Sequence, residues 1–123
     1  MKSDHSAYRQ VSTKVYKKLY IITTTSPSSI QLPEITRIGT LIKNIENVLW
    51  IVADSSNKPF IKIHEYLEDS GVPYEYLICK LIFVQSTKLS KCHFNENLIV
   101  GEVENSETLV HFIFSSQAFK KKY

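Results

Sequence analysis

Apolar and polar positions follow two alternating patterns between residues 19 and 78. Leu19 to Thr23 is a short, continuous apolar and β-branched run, which is typical of a strand buried on both faces of a parallel sheet. Val48 to Ala53 is a second run of this kind, and Tyr74 to Ile78 is a third. The three runs predict three neighbouring strands.

Helical spacing fills the segments between these runs. Apolar residues recur at intervals of three and four from Leu32 to Ile45, which predicts an amphipathic helix over about Leu32 to Asn44. Pro33 stands where the first turn of a helix tolerates proline. Pro59 opens a second predicted helix, and Gly71 suits its C-terminal end. The apolar face of this helix is predicted to consist of Phe60, Ile63 and Leu67. The order strand, helix, strand, helix, strand predicts an α/β fold with right-handed crossovers and a sheet covered on both faces.

The loops after the first two strands are the candidate binding segments, because ligands of such sheets bind beyond the carboxyl ends of the strands. These loops are Thr24 to Ser29 and Asp54 to Lys58. The first loop has neither a glycine-rich dinucleotide fingerprint nor a phosphate-binding P-loop. Its hydroxyls and the carboxylate of Asp54 offer hydrogen bonds to a ribose or a base edge. The alternative is that Ser and Thr form an ordinary loop, with Ser29 or Gln31 near the helix start.

The segment after Cys79 has a different pattern. Its apolar residues form three strand-like runs: Leu81 to Val84, Leu98 to Val100 and Leu109 to Phe114. We expect these runs to add an edge to the sheet or to pack poorly. The chain is therefore divided into a polar segment (1–17), an α/β half-domain (18–78) and a strand-rich tail (79–123).

Composition and charge exclude several classes of protein. The 123 residues are 43% hydrophobic and 22% charged, with 3 Gly and 4 Pro, which excludes collagen-like and low-complexity chains. The net charge of +3 is spread along the chain, without the concentrated basic face that nucleic-acid binding requires. Cys79 and Cys92 lack the spacing of a zinc site. The first eighteen residues contain no apolar run, so we expect no signal peptide or membrane anchor there, in a soluble protein or one whose N-terminal part is missing.

Two pairs of segments carry a resemblance to a known family. Leu19 to Thr25 with Gln31 to Arg37, and Asn47 to Val52 with Leu67 to Tyr74, resemble the opening of the catalytic domain of the β-1,3-glucuronosyltransferases. In that family a strand ending in Thr-Pro-Thr-Tyr precedes a Gln-Leu-x-Glu-Leu-x-Arg helix. The resemblance covers close to half of the chain.

The resemblance implies a partial nucleotide-sugar transferase fold of the GT-A, Rossmann-like kind. It implies a transferase that moves glucuronic acid from UDP-glucuronate to a terminal galactose, as in proteoglycan linker synthesis. Manganese is the implied cofactor and the Golgi membrane the implied location. The implied partners are a UDP-sugar donor, a galactose-terminated acceptor and, in a dimer, a full-length relative; no nucleic acid is expected.

The resemblance also implies a nucleotide-sugar site at the two candidate loops. Its residues are Thr23, Thr24, Thr25, Ser26, Asp54 and Ser55. Thr24 stands where the family has proline, and Ser26 stands where it has the tyrosine that stacks on uracil. An ungapped alignment puts Asp54 at the family's Glu position and Ser55 at the Asp position that accepts from uracil.

The residues that bind the metal and carry out transfer in the family are missing from the remaining sequence. The chain has no Asp-Asp-Asp motif for manganese, and no arginine follows Arg37. Transfer from UDP needs a divalent cation on the leaving diphosphate and a carboxylate base for the acceptor hydroxyl. We therefore expect a truncated chain that is inactive alone and has no catalytic or metal-binding residue. The alternatives are a non-catalytic binding or regulatory module derived from the family, and a generic small α/β nucleotide-binding domain.

Overall fold

A five-stranded mixed sheet runs through the computed structural model, which describes residues 17–94 and 97–123. Its strands are β1 (Leu19–Thr25), β2 (Val48–Asp54), β3 (Tyr74–Val84), β4 (Thr87–Phe94) and β5 (Asn97–Glu102), in that spatial order. β1, β2 and β3 are parallel, whereas β4 and β5 pair antiparallel with their neighbours. The predicted parallel α/β sheet is therefore confirmed, with two further strands at one edge.

Helices pack on both faces of this sheet. The helices in the described residues are α1 (Gln31–Ile42), α2 (Ile61–Asp69), α3 (Ser106–Ser115) and α4 (Gln117–Lys122). α1 and α2 bury Ile35 and Ile63 against the face that carries Trp50. α3 and α4 bury Ile113 and Phe119 against the opposite face. Every residue of β2 is buried as a result, which explains its continuous apolar sequence.

The connectivity explains why the tail helices are needed on the second face. Both parallel connections, β1-α1-β2 and β2-α2-β3, step in the same direction along the sheet. Crossovers of one hand that step in one direction place their helices on the same face. α1 and α2 accordingly share one apolar cluster, and the other face is covered by α3 and α4.

The tail differs from its predicted strands in two places. The prediction of a strand at Leu109 to Phe114 is wrong, because these residues lie in α3. Leu109 and Ile113, four residues apart, both face the sheet and are buried, as helical spacing requires. The run Leu81 to Val84 is the second half of β3, and Leu98 to Val100 lies in β5.

β3 and β4 form a hairpin with a two-residue turn. Gln85 and Ser86 both have positive φ angles, 51° and 69°, which is the backbone of a type I′ turn. Cys79 and Cys92 face each other across this hairpin, and their sulfurs form a disulfide. The two cysteines that the sequence left without a metal site thus link β3 to β4.

None of the helices within residues 17–94 and 97–123 has the length and the apolar sequence that crossing a membrane requires. β3 continues through residue 78, the predicted boundary between the half-domain and the tail. The division into three segments stays a prediction.

Candidate functional site

The two candidate loops lie side by side at the carboxyl edge of the parallel strands. Thr25, the last residue of β1, is the register partner of Asp54, the last residue of β2. The backbone N–H of Ser55 donates to the carbonyl oxygen of Thr25 at 2.9 Å. Parallel pairing therefore brings residues 30 positions apart in sequence to one edge, as the strand-end rule requires.

The hydroxyl of Thr23 forms a hydrogen bond inside the fold. Its hydroxyl oxygen accepts a hydrogen bond of 3.0 Å from Nε1 of Trp50, which is fully buried. A buried indole N–H needs such a partner, because an unpaired buried donor is costly. Thr23 lines neither of the two cavities described next.

A first cavity opens between the sheet edge and the start of α3, and we call it the α3-side cavity. Its volume is about 280 Å³. Its polar lining includes Thr24, Thr25, Ser26, Ser55, Lys88 and Ser90. Four of the six predicted site residues thus share one cavity with an ammonium group. Hydroxyl donors beside a cation suit phosphate or sugar oxygens.

A second cavity lies on the other face of the same edge, between the loops that lead into α1 and α2. We call it the Asp54 cavity, and its volume is about 440 Å³. Its lining includes Ser28, Gln31, Asp54, Lys58 and Phe60. Asp54 and Ser55 are adjacent in sequence, but successive residues of an extended segment point to opposite faces, so they line different cavities.

Asp54 is held by one hydrogen bond at the base of its cavity. Its carboxylate is fully buried, and Oδ2 accepts from the hydroxyl of Tyr76 at 2.7 Å. The Tyr76 oxygen in turn accepts from the backbone N–H of Phe60 at 3.1 Å. Burial, followed by the bond to Asp54, raises the pKa of Tyr76 well above its usual value near 10. Tyr76 therefore remains a protonated donor at neutral pH.

Two polar atoms in the Asp54 cavity have no partner. Oδ1 of Asp54 accepts no hydrogen bond, and Nε2 of Gln31 donates none. Gln31 is only 2% exposed, although it is the first residue of α1. Gln31 lines the Asp54 cavity, and the preceding residue, Ile30, gives α1 no side-chain cap.

The manganese that the family resemblance implies does not fit the described residues. Within residues 17–94 and 97–123, no three His, Cys, Asp or Glu side chains lie close enough together to hold a metal ion. Asp54 stands alone in its cavity, and the acidic side chains of Glu102, Glu104 and Glu107 are exposed. We derive no reaction step through a metal.

Several residues around the two cavities were not identified from the sequence. Lys88 and Ser90 lie on β4, whose alternating polar sequence was not predicted as a strand. Phe60 was predicted on the buried face of the second helix, which is wrong: it precedes α2 in an extended conformation and is 41% exposed. The helix begins at Ile61, two residues after Pro59, so Phe60 is its N-cap residue and does not belong to its apolar face.

Relatives of the chain are glycosyltransferases of two named kinds. The chain is 38% identical over 71 residues to galactosylgalactosylxylosylprotein 3-beta-glucuronosyltransferase P of Drosophila melanogaster, a match covering 58% of this chain and 15% of that protein. It is 30% identical over 106 residues to the probable beta-1,4-xylosyltransferase IRX9L of Oryza sativa subsp. japonica, covering 85% of this chain and 24% of the relative. The probable beta-1,4-xylosyltransferase GT43E of the same plant is 26% identical over 106 residues. No protein-family model matches the chain.

The two longer matches include part of the tail, and all of the matches cover a small part of each relative and do not identify the donor sugar. Only 78 residues precede Cys79, so a match over 106 residues reaches into the tail. The chain spans between 15% and 24% of the length of these relatives. The relatives are named for different sugars, so the likeness extends to glycosyltransferases as a class and leaves the sugar open.

Proposed function

The chain corresponds to a fragment of a protein of the β-1,3-glucuronosyltransferase family. On this premise, we propose that it binds a UDP-sugar donor as the nucleotide-binding portion of a glycosyltransferase. One observation carries this proposal. The polar ends of β1 and β2 meet at one sheet edge and line two cavities there, one on each face. A nucleotide sugar has a planar base at one end and an anionic, hydroxylated portion at the other, and thus needs two such chemically different sites.

The α3-side cavity suits the anionic portion of this donor. Thr25, Ser26 and Ser55 offer hydroxyl donors, and Lys88 contributes a positive charge. The Lys88 ammonium donates to the backbone oxygen of Glu104 at 3.4 Å, a long bond that holds it loosely. A lysine binds phosphate as a point charge and needs no fixed geometry, so it can substitute for an arginine clamp.

The finer assignments are part of the same proposal. We assign UDP-glucuronate as the donor sugar nucleotide, a terminal galactose as the acceptor and the Golgi membrane as the location of the parent activity. The described residues contain no group of three His, Cys, Asp or Glu side chains that could hold a metal ion against a leaving diphosphate. The chain by itself is therefore assigned donor binding without transfer.

Isothermal titration with UDP, UDP-glucuronate and UDP-xylose tests this function. We expect saturable binding of UDP and tighter binding of UDP-glucuronate than of UDP-xylose, with GDP as the control nucleotide. The double variant Thr25→Ala, Ser55→Ala should weaken UDP binding about a hundredfold or more, since two hydrogen bonds to a charged group are lost. Thr40→Ala, on the exposed face of α1, is the matched control and should bind like the original chain.

Two results would contradict the proposal. Equal binding of GDP and UDP would leave a generic nucleotide-binding domain. A chain that binds no uridine nucleotide but forms a complex with a full-length relative would instead be a non-catalytic partner of that enzyme.

A further inference from the structure

One hydroxyl oxygen connects the two ends of the β2–α2 loop, which we define as residues 55–60. The hydroxyl of Tyr76 donates to Oδ2 of Asp54, the last residue of β2, at 2.7 Å. The same oxygen accepts from the backbone N–H of Phe60, the residue before α2, at 3.1 Å. Because Asp54 precedes the loop and Phe60 ends it, Tyr76 bonds to both ends of the loop from outside it.

Tyr76 lies on a strand, and its position does not depend on the loop. It is the register partner of Val52 in the parallel pair of β2 and β3, and Val52 is fully buried. The ring of Tyr76 packs against the apolar cluster that α1 and α2 form on the sheet. Side chains on strands are placed more precisely than side chains on loops. The sheet therefore sets the position of the loop through this hydroxyl.

The buried carboxylate of Asp54 depends on this hydroxyl. Oδ1 of Asp54 has no hydrogen-bond partner, so the bond from Tyr76 to Oδ2 is the one that holds the side chain. Without the hydroxyl, the carboxylate would be buried with neither oxygen bonded. Burial of an unpaired charged group is costly, and the cost favours conformations in which the loop opens and water reaches Asp54.

The bonds of Ser56 shape the loop without attaching it to the sheet. Its backbone N–H donates to the carbonyl oxygen of Asp54, and its hydroxyl donates to the carbonyl oxygen of Lys58 at 2.7 Å. Ser55 is attached on one side, since its N–H donates to the carbonyl oxygen of Thr25 at 2.9 Å. Within the described residues, Tyr76 supplies the attachment on the other side.

We infer that Tyr76 is a positioning residue for donor binding: its hydroxyl holds the β2–α2 loop against the sheet and so places the hydroxyl of Ser55 in the α3-side cavity. Ser55 is the residue of this loop that lines that cavity. The inference rests on the proposed function, in which Ser55 donates to the anionic portion of the donor. It adds a residue that contacts neither the donor nor the α3-side cavity.

Titration of Tyr76→Phe with UDP tests this role, because the variant loses one oxygen and keeps the ring. We expect UDP binding to weaken about tenfold, the loss that follows when the loop is competent in about one molecule in ten. Tyr66→Phe is the matched control. Its hydroxyl also bonds within the fold, to the carbonyl oxygen of Thr36 at 3.2 Å, but Tyr66 lines neither cavity. This control should bind UDP like the original chain.

A double-mutant cycle shows whether Tyr76 acts through Ser55. In a Ser55→Ala background the loop has no hydroxyl to place, so Tyr76→Phe should weaken UDP binding by less than about twofold. In a Lys88→Ala background the loop still places Ser55, and the full loss should remain. A general loss of stability would weaken binding equally in both backgrounds.

Amide hydrogen exchange of the ¹⁵N-labelled chain, followed by NMR without any nucleotide, tests the loop itself. The backbone N–H groups of Ser55 and Ser56 are bonded to the carbonyl oxygens of Thr25 and Asp54. Opening of the loop exposes them, so Tyr76→Phe should speed their exchange about tenfold or more. Amides inside β2 should exchange as in the original chain.

The outcomes separate this inference from the proposed function. If UDP binds Tyr76→Phe as well as the original chain, or if Tyr76→Phe and Ser55→Ala weaken binding independently, the inference is wrong and donor binding stands. If exchange in the loop speeds up but no uridine nucleotide binds any form of the chain, the proposed function fails while Tyr76 still orders the loop. Unchanged exchange at Ser55 and Ser56 overturns the inference whatever the affinity for UDP.

Discussion

The hydroxyl of Thr23 shows how one contact separates a structural role from a binding role. The sequence groups Thr23 with the hydroxyls that follow it, because all of them lie near the end of β1. Alternation along the strand turns Thr23 toward α1 and α2, where Trp50 donates to it, while Thr24 lines the α3-side cavity. We therefore expect different consequences from substitutions at these neighbouring residues.

Replacing Thr23 by valine should lower the free energy of unfolding by about 1–3 kcal/mol. The side chain keeps its shape, but the indole N–H of fully buried Trp50 loses its acceptor. Urea unfolding followed by Trp50 fluorescence measures the effect, and Thr23→Ser, which keeps the oxygen, is the control. Weaker UDP binding by Thr23→Val at unchanged stability would show instead that Thr23 contacts the ligand.

At the scale of elements, the sequence predicts β1, α1, β2, α2 and β3 but misses the hairpin and α3. The hairpin turn consists of Gln85 and Ser86, without the Asn-Gly or Asp-Gly pair that makes such turns recognisable. The run in α3 is short and, apart from His111, apolar, and periodicity alone does not distinguish a strand from a buried helix in such a run. The N-cap is the signal that favours a helix, since the Asn105 side chain accepts from the backbone N–H of Thr108 at 3.0 Å.

The packing of α1 against α2 depends on a glycine in α1. A Cβ atom at Gly39 would overlap the hydroxyl of Tyr66, which donates to the carbonyl oxygen of Thr36 at 3.2 Å. Alanine improves helix propensity by about 1 kcal/mol, but displacing the tyrosine costs more, so we expect Gly39→Ala to be destabilising by about 1–2 kcal/mol net. Thermal or urea unfolding of the variant provides the measurement.

A double-mutant cycle gives the control for this contact. In a Tyr66→Phe background the overlapping oxygen is absent, so the penalty of Gly39→Ala should shrink. An equal penalty in both backgrounds would mean that the tyrosine hydroxyl does not limit the approach of the two helices.

At the scale of the whole molecule, the tail completes the sheet that the first part begins. Phe119 of α4 is 4% exposed and packs edge-on against Tyr20 of β1 and Phe94 of β4, with ring centroids 5.4 and 5.6 Å apart. One side chain thus joins β1 to a strand of the tail. We expect the described residues to unfold as one cooperative unit.

Truncation of this side chain tests that expectation. Phe119→Ala should lower the free energy of unfolding by about 3–5 kcal/mol, whereas Phe119→Leu should cost much less. Trp50 is the chain's single tryptophan and lies on the opposite face of the sheet, so its fluorescence reports unfolding away from the mutated site. An unchanged fluorescence midpoint in Phe119→Ala would show that the α/β part folds independently of the tail.

The sequence by itself determined the alternation of strands and helices through residue 78 and the two loops at the carboxyl edge. These features follow from local periodicity and from the geometry of parallel strands, which require no knowledge of distant contacts. Tertiary structure alone decided which hydroxyl accepts the hydrogen bond from Trp50 and that Cys79 pairs with Cys92. It also decided that Gln31, Asp54 and Phe60 share a cavity. Those properties depend on which face a side chain takes and on partners far away in sequence, and packing fixes both only when the chain is folded.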